Sequence, residues 1–222
     1  MLDVLYEDES LLFINKPAGV VIQPSLKEGE PYLLADVLQH APGAFLMQRL
    51  DRGTSGVMFF SKLSAINAKL TRQFETKEIR KRYLALCNGE VGERQTIDAP
   101  LARSGAITFA VRDDGKRSIT VVTPLRATPR GSLVSIELRT GRTHQIRVHL
   151  AAIGHPLIGD WLYGERDAAR PMLHSAELVM THPLTRQRLR VAAAPPDDFA
   201  ECAVERGIMS RGEDRTSVFE CG

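Results

Sequence analysis

The chain predicts an α+β fold built on a mostly antiparallel sheet. Short β-like runs outnumber helical stretches, and the two do not alternate regularly, as a doubly wound parallel sheet would require. In the clearest run, Val134-Ser135-Ile136-Glu137-Leu138-Arg139, apolar and polar residues alternate cleanly, as in a half-buried strand.

The elements follow in order. Val4-Leu5-Tyr6 reads as a strand, Glu7-Asp8-Glu9-Ser10 as a turn, and Leu11–Asn15 as a second strand. Lys16-Pro17-Ala18-Gly19 ends that strand, because proline removes a backbone donor and glycine permits the turn. Leu34, Val37 and Leu38 have helical spacing, and Leu63, Ile66, Leu70 and Phe74 form a stripe along a helix of about three or four turns. Val57–Phe60, Tyr83–Cys87 and Ile119–Val122 read as further strands. Thr143 is placed to cap a helix carrying Ile146, Leu150 and Ile153 on one face, closed by Gly154 and Pro156.

Composition narrows the class. The 222 residues are 43% hydrophobic and 25% charged, which excludes disordered, collagen-like and disulfide-stapled chains. No apolar run approaches the roughly 20 residues a membrane helix needs. The N-terminus has no basic segment ahead of an apolar one, so no signal peptide is expected. Cys87, Cys202 and Cys221 share no CxxC spacing and read as free thiols, which suits the cytoplasm. Residues 1–196 read as one catalytic-size domain. Residues 197–222 hold seven acids against three arginines, net −4, leaving +6 on the rest of a +2 chain, and read as a partly disordered acidic tail. Arginine outnumbers lysine 22 to 7, a bias that suits bidentate phosphate contacts and is equally compatible with codon composition.

Motifs for Rossmann dinucleotide sites, P-loops, HExxH metalloproteases and GxSxG hydrolases are missing. His144 and His149 fall about 140° apart around a helix, so they cannot hold one metal ion from one face. Three clusters carry chemical potential. In Gln48-Arg49-Leu50-Asp51-Arg52-Gly53-Thr54-Ser55-Gly56, flanking arginines would keep Asp51 ionised, as attack on an electrophilic carbon requires. On the physics alone, a plain surface turn with solvated arginines is the favoured reading. Lys77-Glu78-Ile79-Arg80-Lys81-Arg82-Tyr83 sets four cations beside an aromatic ring, suited to phosphates and a stacked base, or simply a solvated helix end. Arg139-Thr140-Gly141-Arg142-Thr143-His144-Gln145-Ile146-Arg147 is a strand, turn and helix start, either anion-binding or a cationic helix face.

Taken together, these blocks resemble a known family. Gln48–Gly56 resembles the HRLDxxTSG signature of RluA-type pseudouridine synthases, which isomerise uridine in ribosomal and transfer RNA, with Gln48 where the family usually has histidine. Arg82-Tyr83-Leu84-Ala85 resembles the family's (K/R)xY block. Thr140–Leu150, continuing through Gly154–Asp160, is similar to its third motif. Asn15-Lys16-Pro17-Ala18-Gly19 and Leu173-His174-Ser175-Ala176 also fit, so the likeness runs in order from about residue 2 to 195.

The resemblance implies the pseudouridine synthase fold, a largely antiparallel mixed sheet with peripheral helices and a basic RNA-binding cleft. No S4-like domain is expected ahead of Met1. It implies an enzyme that flips out a uridine, cleaves its glycosidic bond, rotates the uracil and rejoins it through C5, without cofactor or metal. Asp51 is the essential carboxylate, whether by addition to C1′ or by assisting elimination to a glycal. Tyr83 stacks on the base, Arg147 pairs with Asp51, and Arg49 helps extrude the target. Arg52, Arg80, Lys81, Arg142 and His144 are the remaining expected RNA contacts. The expected partner is structured ribosomal or transfer RNA, and the expected state is a cytoplasmic monomer. Two alternatives differ in kind: a catalytically silent RNA-binding module, for which Asp51 is expendable, and a glycosylase, which releases free base.

Overall fold

The computed structural model describes residues 2–24 and 29–213. In chain order the strands and helices are β1 (Val4–Glu7), β2 (Leu11–Lys16), α1 (Leu33–His40), β3 (Phe45–Leu46), β4 (Ser55–Ser61) and α2 (Asn67–Glu75). There follow β5 (Arg80–Cys87), β6 (Gln95–Asp98), β7 (Leu101–Arg103), β8 (Phe109–Val111), β9 (Ile119–Thr128) and β10 (Gly131–Leu138). The last are α3 (Gln145–Ala152), β11 (Leu173–Thr181), β12 (Arg188–Ala192) and α4 (Asp197–Glu205). Where the sequence shows no seam, the chain divides into two compact units, Met1–Lys81 with Ser175–Ala193, and Arg82–His174 with Ala194–Gly222.

In the first unit the strands run β1-β2-β4-β11, with β3 beside β4 and β12 beside β11. The β2–β4 register sets Phe13 opposite Phe59 and Lys16 opposite Gly56. Leu11, Phe13, Val57 and Phe59 pack with Ile66, Leu70, Leu178 and Met180 into one core, and the Phe13 and Phe59 rings stack at 5.1 Å. The expected Leu63–Phe74 helix divides. Leu63 is extended and exposed, Ser64–Ile66 forms a 3-10 turn, and α2 starts only at Asn67. In α1 the buried pair is Leu33 and Val37, one helical turn apart, while Leu38 stays exposed.

In the second unit the strands run β5-β10-β9-β6, every pair antiparallel, and β7 and β8 form a separate hairpin. Residues 197–205 are the first part of the segment expected to be a partly disordered acidic tail. They form α4, whose Phe199, Cys202 and Ala203 recur at helical spacing and are buried. Beyond it Ile208 reaches Gly131, where an added Cβ would lie 3.1 Å from the Ile208 side chain. Two of the acidic residues form ion pairs: Asp198 takes a bidentate contact from Arg170, and Glu213 pairs with Arg126. The Arg170 hydrogen bonds hold the Asp198 carboxyl below its usual range. Negative charge in sequence thus marked a helix tied to basic strands and loops. The remainder of the expected tail, 214–222 with Cys221, lies outside the described residues. Cys87 and Cys202 are free and buried, and burial pushes the Cys87 thiol up to about 12.

Candidate active site

The loop that carries Asp51 is shaped by residues on both sides of it. Gln48 and Leu50 are buried, Arg49 is exposed and Asp51 is partly exposed. That alternation sets Arg49 and Asp51 on the same outward side of a locally extended segment. The Gln48 amide nitrogen donates to the Val57 carbonyl at 3.3 Å, so this departure from the family pattern faces β4 instead of solvent. Gly56 follows with φ +107, and a Cβ there would lie 2.2 Å from the Ser175 carbonyl oxygen of β11. Only glycine lets the two backbones approach so closely.

Beneath the loop lies a fully buried lysine. The Lys16 ammonium donates to the carbonyls of Pro17 at 2.8 Å, Arg52 at 3.2 Å and Thr54 at 2.9 Å. Those three bonds draw the turn after β2 and the turn after Asp51 together. The Thr54 amide then closes the loop on the Asp51 carbonyl at 3.0 Å. Arg52, expected to touch RNA, contributes to the same framework: its Nε donates to the Gly19 carbonyl at 2.9 Å and its guanidinium pairs with Glu30 at 2.8 Å. Arg80 is exposed at the start of β5. Lys81 is half-buried with its ammonium 5.0 Å from the Phe74 ring centroid, and burial lowers its pKa to about 8.

The second unit holds Tyr83 and Arg147. Tyr83 is 5% exposed and lies opposite Ile136 in the β5–β10 register. Arg147, on α3, gives Nε and Nη2 to the two oxygens of Asp160, each at 2.7 Å, and its guanidinium lies 5.2 Å from the Tyr163 ring centroid. The Tyr163 hydroxyl accepts the Phe109 amide of β8 at 3.0 Å and meets His144 Nδ1 at 2.8 Å. Tyr163 therefore brings the expected residues His144 and Arg147 together. Arg142 is exposed in the turn before α3.

Why α3 starts where it does is also local. The residue before its first turn is His144, not Thr143, and it sits in the left-handed region at φ 55. Instead of a side-chain cap, Gln145 organises the turn. Its Oε1 accepts from the Thr140 hydroxyl at 2.9 Å and the Arg142 amide at 3.0 Å, and its Nε2 donates to the Ile119 carbonyl at 3.0 Å. His149 is buried between the Ala99 carbonyl at Nε2 and the Thr120 hydroxyl at Nδ1. A carbonyl only accepts, so Nε2 carries the proton, and burial lowers the pKa of this ring. Both histidines have structural partners, and among the described residues no cluster of His, Cys, Asp or Glu could hold a metal ion.

Lys16, Asp160, Tyr163 and Gln145 were not singled out from sequence as functional. Lys16, Gln145 and Asp160 fall inside segments that carry the family resemblance, which was the available signal.

Fold and motifs together describe an RNA-modifying isomerase. The RNA pseudouridylate synthase family model matches residues 10–152. The chain is 35% identical to a ribosomal large subunit pseudouridine synthase D of Zymomonas mobilis, covering 89% of this chain and 70% of that protein. It is 36% identical to an uncharacterized RNA pseudouridine synthase, YjbO, of Bacillus subtilis, covering 90% of this chain and 75% of that one. Among solved structures, human RNA pseudouridylate synthase domain containing 1 superposes with a TM-score of 0.76 at 29% identity, covering 88% of this chain and 84% of that one. The chain belongs to the RNA pseudouridylate synthase family and is a pseudouridine synthase. No described helix is long and apolar enough to cross a membrane.

Proposed function

We propose that this enzyme isomerises uridines in structured RNA, ribosomal RNA first and transfer RNA second, as a cytoplasmic monomer without cofactor or metal. The observation that carries the reading is the Asp51 loop. A partly exposed carboxylate on a loop held from below by a buried lysine is a preorganised anionic group of the kind glycosidic chemistry uses. Relatives named for the ribosomal large subunit support the choice of ribosomal RNA.

In this reading the uridine leaves its stack and enters a basic cleft, with Arg49 assisting extrusion. Asp51 adds to C1′ or assists formation of a glycal as the bond to N1 breaks. The uracil rotates and its C5 bonds to C1′, displacing the Asp51 carboxylate where it had added; the C5 proton leaves and N1 takes one up, so atoms balance with no net change in mass. Tyr83 stacks on the base and assists that late proton transfer. Arg147, whose guanidinium Asp160 holds, pairs with Asp51 and orients it. Arg52, Arg80, Lys81, Arg142 and His144 supply or shape the phosphate-binding surface.

The test is to map carbodiimide-reactive pseudouridines in ribosomal and transfer RNA from cells with and without the protein. Pure wild type and Asp51→Asn are then assayed on the mapped fragment. The expected result is isomerisation by wild type, none detectable with Asp51→Asn, and RNA affinity of the variant within a few fold. Appreciable turnover by the variant would overturn the role of Asp51, and release of free uracil would indicate a glycosylase.

A further inference from the structure

Trp161 is the one tryptophan of the chain and is 48% exposed. Tryptophan is normally well buried, although single exposed apolar residues are ordinary on protein surfaces. Two features set this one apart. The Arg166 guanidinium lies 5.5 Å from the indole centroid, so a cation is already placed against the ring. In addition, the turn that presents the indole is rigid.

That rigidity can be traced bond by bond. Gly159 adopts φ +78, where a Cβ would come within 2.0 Å of the Arg170 carbonyl oxygen, and its amide donates to Asp167 at 2.7 Å. The Trp161 amide donates to the Gly159 carbonyl at 3.1 Å, and the Gly164 amide to the Asp160 carbonyl at 2.7 Å. The Leu162 amide donates to Asp160 Oδ1 at 3.2 Å. Asp160 is the carboxylate that holds Arg147, so the indole stands one residue from the anchor of a proposed active-site group. Nearby negative charge is partly committed. Asp167 pairs with Arg206 at 2.5 Å, and Glu165 is the exposed acid beside Arg166.

A flat, fixed aromatic surface with a guanidinium beside it matches a nucleobase and its neighbouring phosphate. We propose that Trp161, with Arg166, is a stacking platform for an unpaired base of the RNA substrate flanking the uridine that is isomerised. This rests on the RNA-modifying function above and adds a binding subsite to it. Stacking places the flanking nucleotide, so the platform acts on affinity and leaves the chemical step nearly unchanged.

The single tryptophan makes the test direct. The full chain carrying Asp51→Asn is titrated with an octamer of uridylate and, separately, with long-chain polyphosphate, which has the charge and no bases. Oligouridylate binding is followed independently by anisotropy of a labelled octamer, and polyphosphate binding by its displacement of that octamer. Saturating oligouridylate is expected to quench the indole emission by about half, whereas bound polyphosphate leaves it nearly unchanged. On a mapped substrate hairpin, Trp161→Ala should raise the half-saturating concentration at least about fivefold, with the single-turnover rate at saturation within about twofold. Trp161→Phe should recover most of that loss. Arg166→Gln should lower the salt slope of binding by about one, and Trp161→Ala should leave it unchanged.

Full RNA binding with no quench, or Trp161→Ala with unchanged half-saturation, would overturn the platform. If wild type isomerises its RNA while the indole is silent, the platform falls and the enzymatic reading stands. If the indole is quenched by RNA that wild type never isomerises, the platform stands and the proposed RNA substrates fall.

Discussion

Arg147 and Asp160 are joined by two parallel hydrogen bonds of 2.7 Å, Nε to Oδ2 and Nη2 to Oδ1, with both side chains out of solvent. Thirteen residues separate them, from the middle of α3 to the turn after Ile158. The fork fixes the plane of the guanidinium before any substrate arrives, which is what a group that must orient another charge requires. The family resemblance pairs Arg147 with Asp51. The structure shows that its bidentate anchor is Asp160, and the Asp51 pairing stays a proposal.

Breaking one side of that pair strands the other charge. Asp160→Ala and Arg147→Met should each destabilise the fold by about 3 kcal/mol, because an uncompensated buried charge is costly. The double variant should lose less than the sum of the two. Urea unfolding measures all four proteins. Additive losses would mean that the two side chains do not interact energetically.

Lys16→Met removes the clamp under the Asp51 loop and takes a donor from the carbonyls of Pro17, Arg52 and Thr54, of which Arg52 keeps the Gly19 amide. Unsatisfied buried acceptors cost about 1–3 kcal/mol each, so a loss of several kcal/mol is expected, with activity falling further than stability predicts. The second effect is read as the rate remaining at a temperature where the variant is still folded. A folded variant with normal turnover would show that the loop keeps its shape unaided.

The adjacent cations Arg80 and Lys81 should behave differently. Arg80 is exposed, so Arg80→Gln should lower the salt slope of RNA binding by about one at pH 7 and again at pH 9. Burial lowers the Lys81 pKa from its ordinary 10.5 to about 8, so its charge fades as pH rises through that value. Lys81→Gln should therefore weaken RNA binding at pH 7 and have little effect at pH 9. The stability consequence has a definite sign. Between about 8 and 10.5 the unfolded chain binds the extra proton, so Lys81 makes stability rise with pH there. Relative to wild type, Lys81→Met should gain on the order of 1 kcal/mol at pH 7, after discounting for solvent screening, and lose that advantage near pH 10.5.

Ending the chain at Pro196 should cost soluble, folded protein. Phe199, Ala203 and Ile208 are buried, and Arg170 and Arg126 would lose Asp198 and Glu213. Expression yield and thermal unfolding of the truncated chain give the answer. A stable, fully active truncation would mean that α4 contributes little.

Arg49 offers a check on base extrusion. If it helps to unstack the uridine, Arg49→Ala should cost most on a structured stem-loop, where flipping takes a few kcal/mol, and much less on a short single strand. Single-turnover rates on the two RNAs decide it. Equal fold-losses would assign Arg49 to the chemistry or to the order of its own loop.

Much of this protein was legible in one dimension. The antiparallel α+β class followed from strands that outnumber and fail to alternate with helices, and the sheets of both units agree. The family was legible because several short blocks carry its motifs in order along the chain. Turn chemistry was legible too, since glycine has few substitutes where φ is positive, as at Gly19 and Gly154.

What the chain could not declare is how each charge is spent. From sequence, Asp197 onward reads as a partly disordered acidic tail. Residues 197–205 instead form a helix with one buried face, because Phe199, Cys202 and Ala203 share that face and Arg170, 28 residues away, takes the Asp198 carboxylate. Lys16 read as part of a turn and Asp160 as the end of a motif. Their roles depend on carbonyls 36 and 38 residues away and on a guanidinium 13 residues away. Local pattern determines which segments become strands and helices, because it acts through neighbours in the chain. The partner of a buried charge is chosen by long-range geometry, and only the tertiary structure decides it.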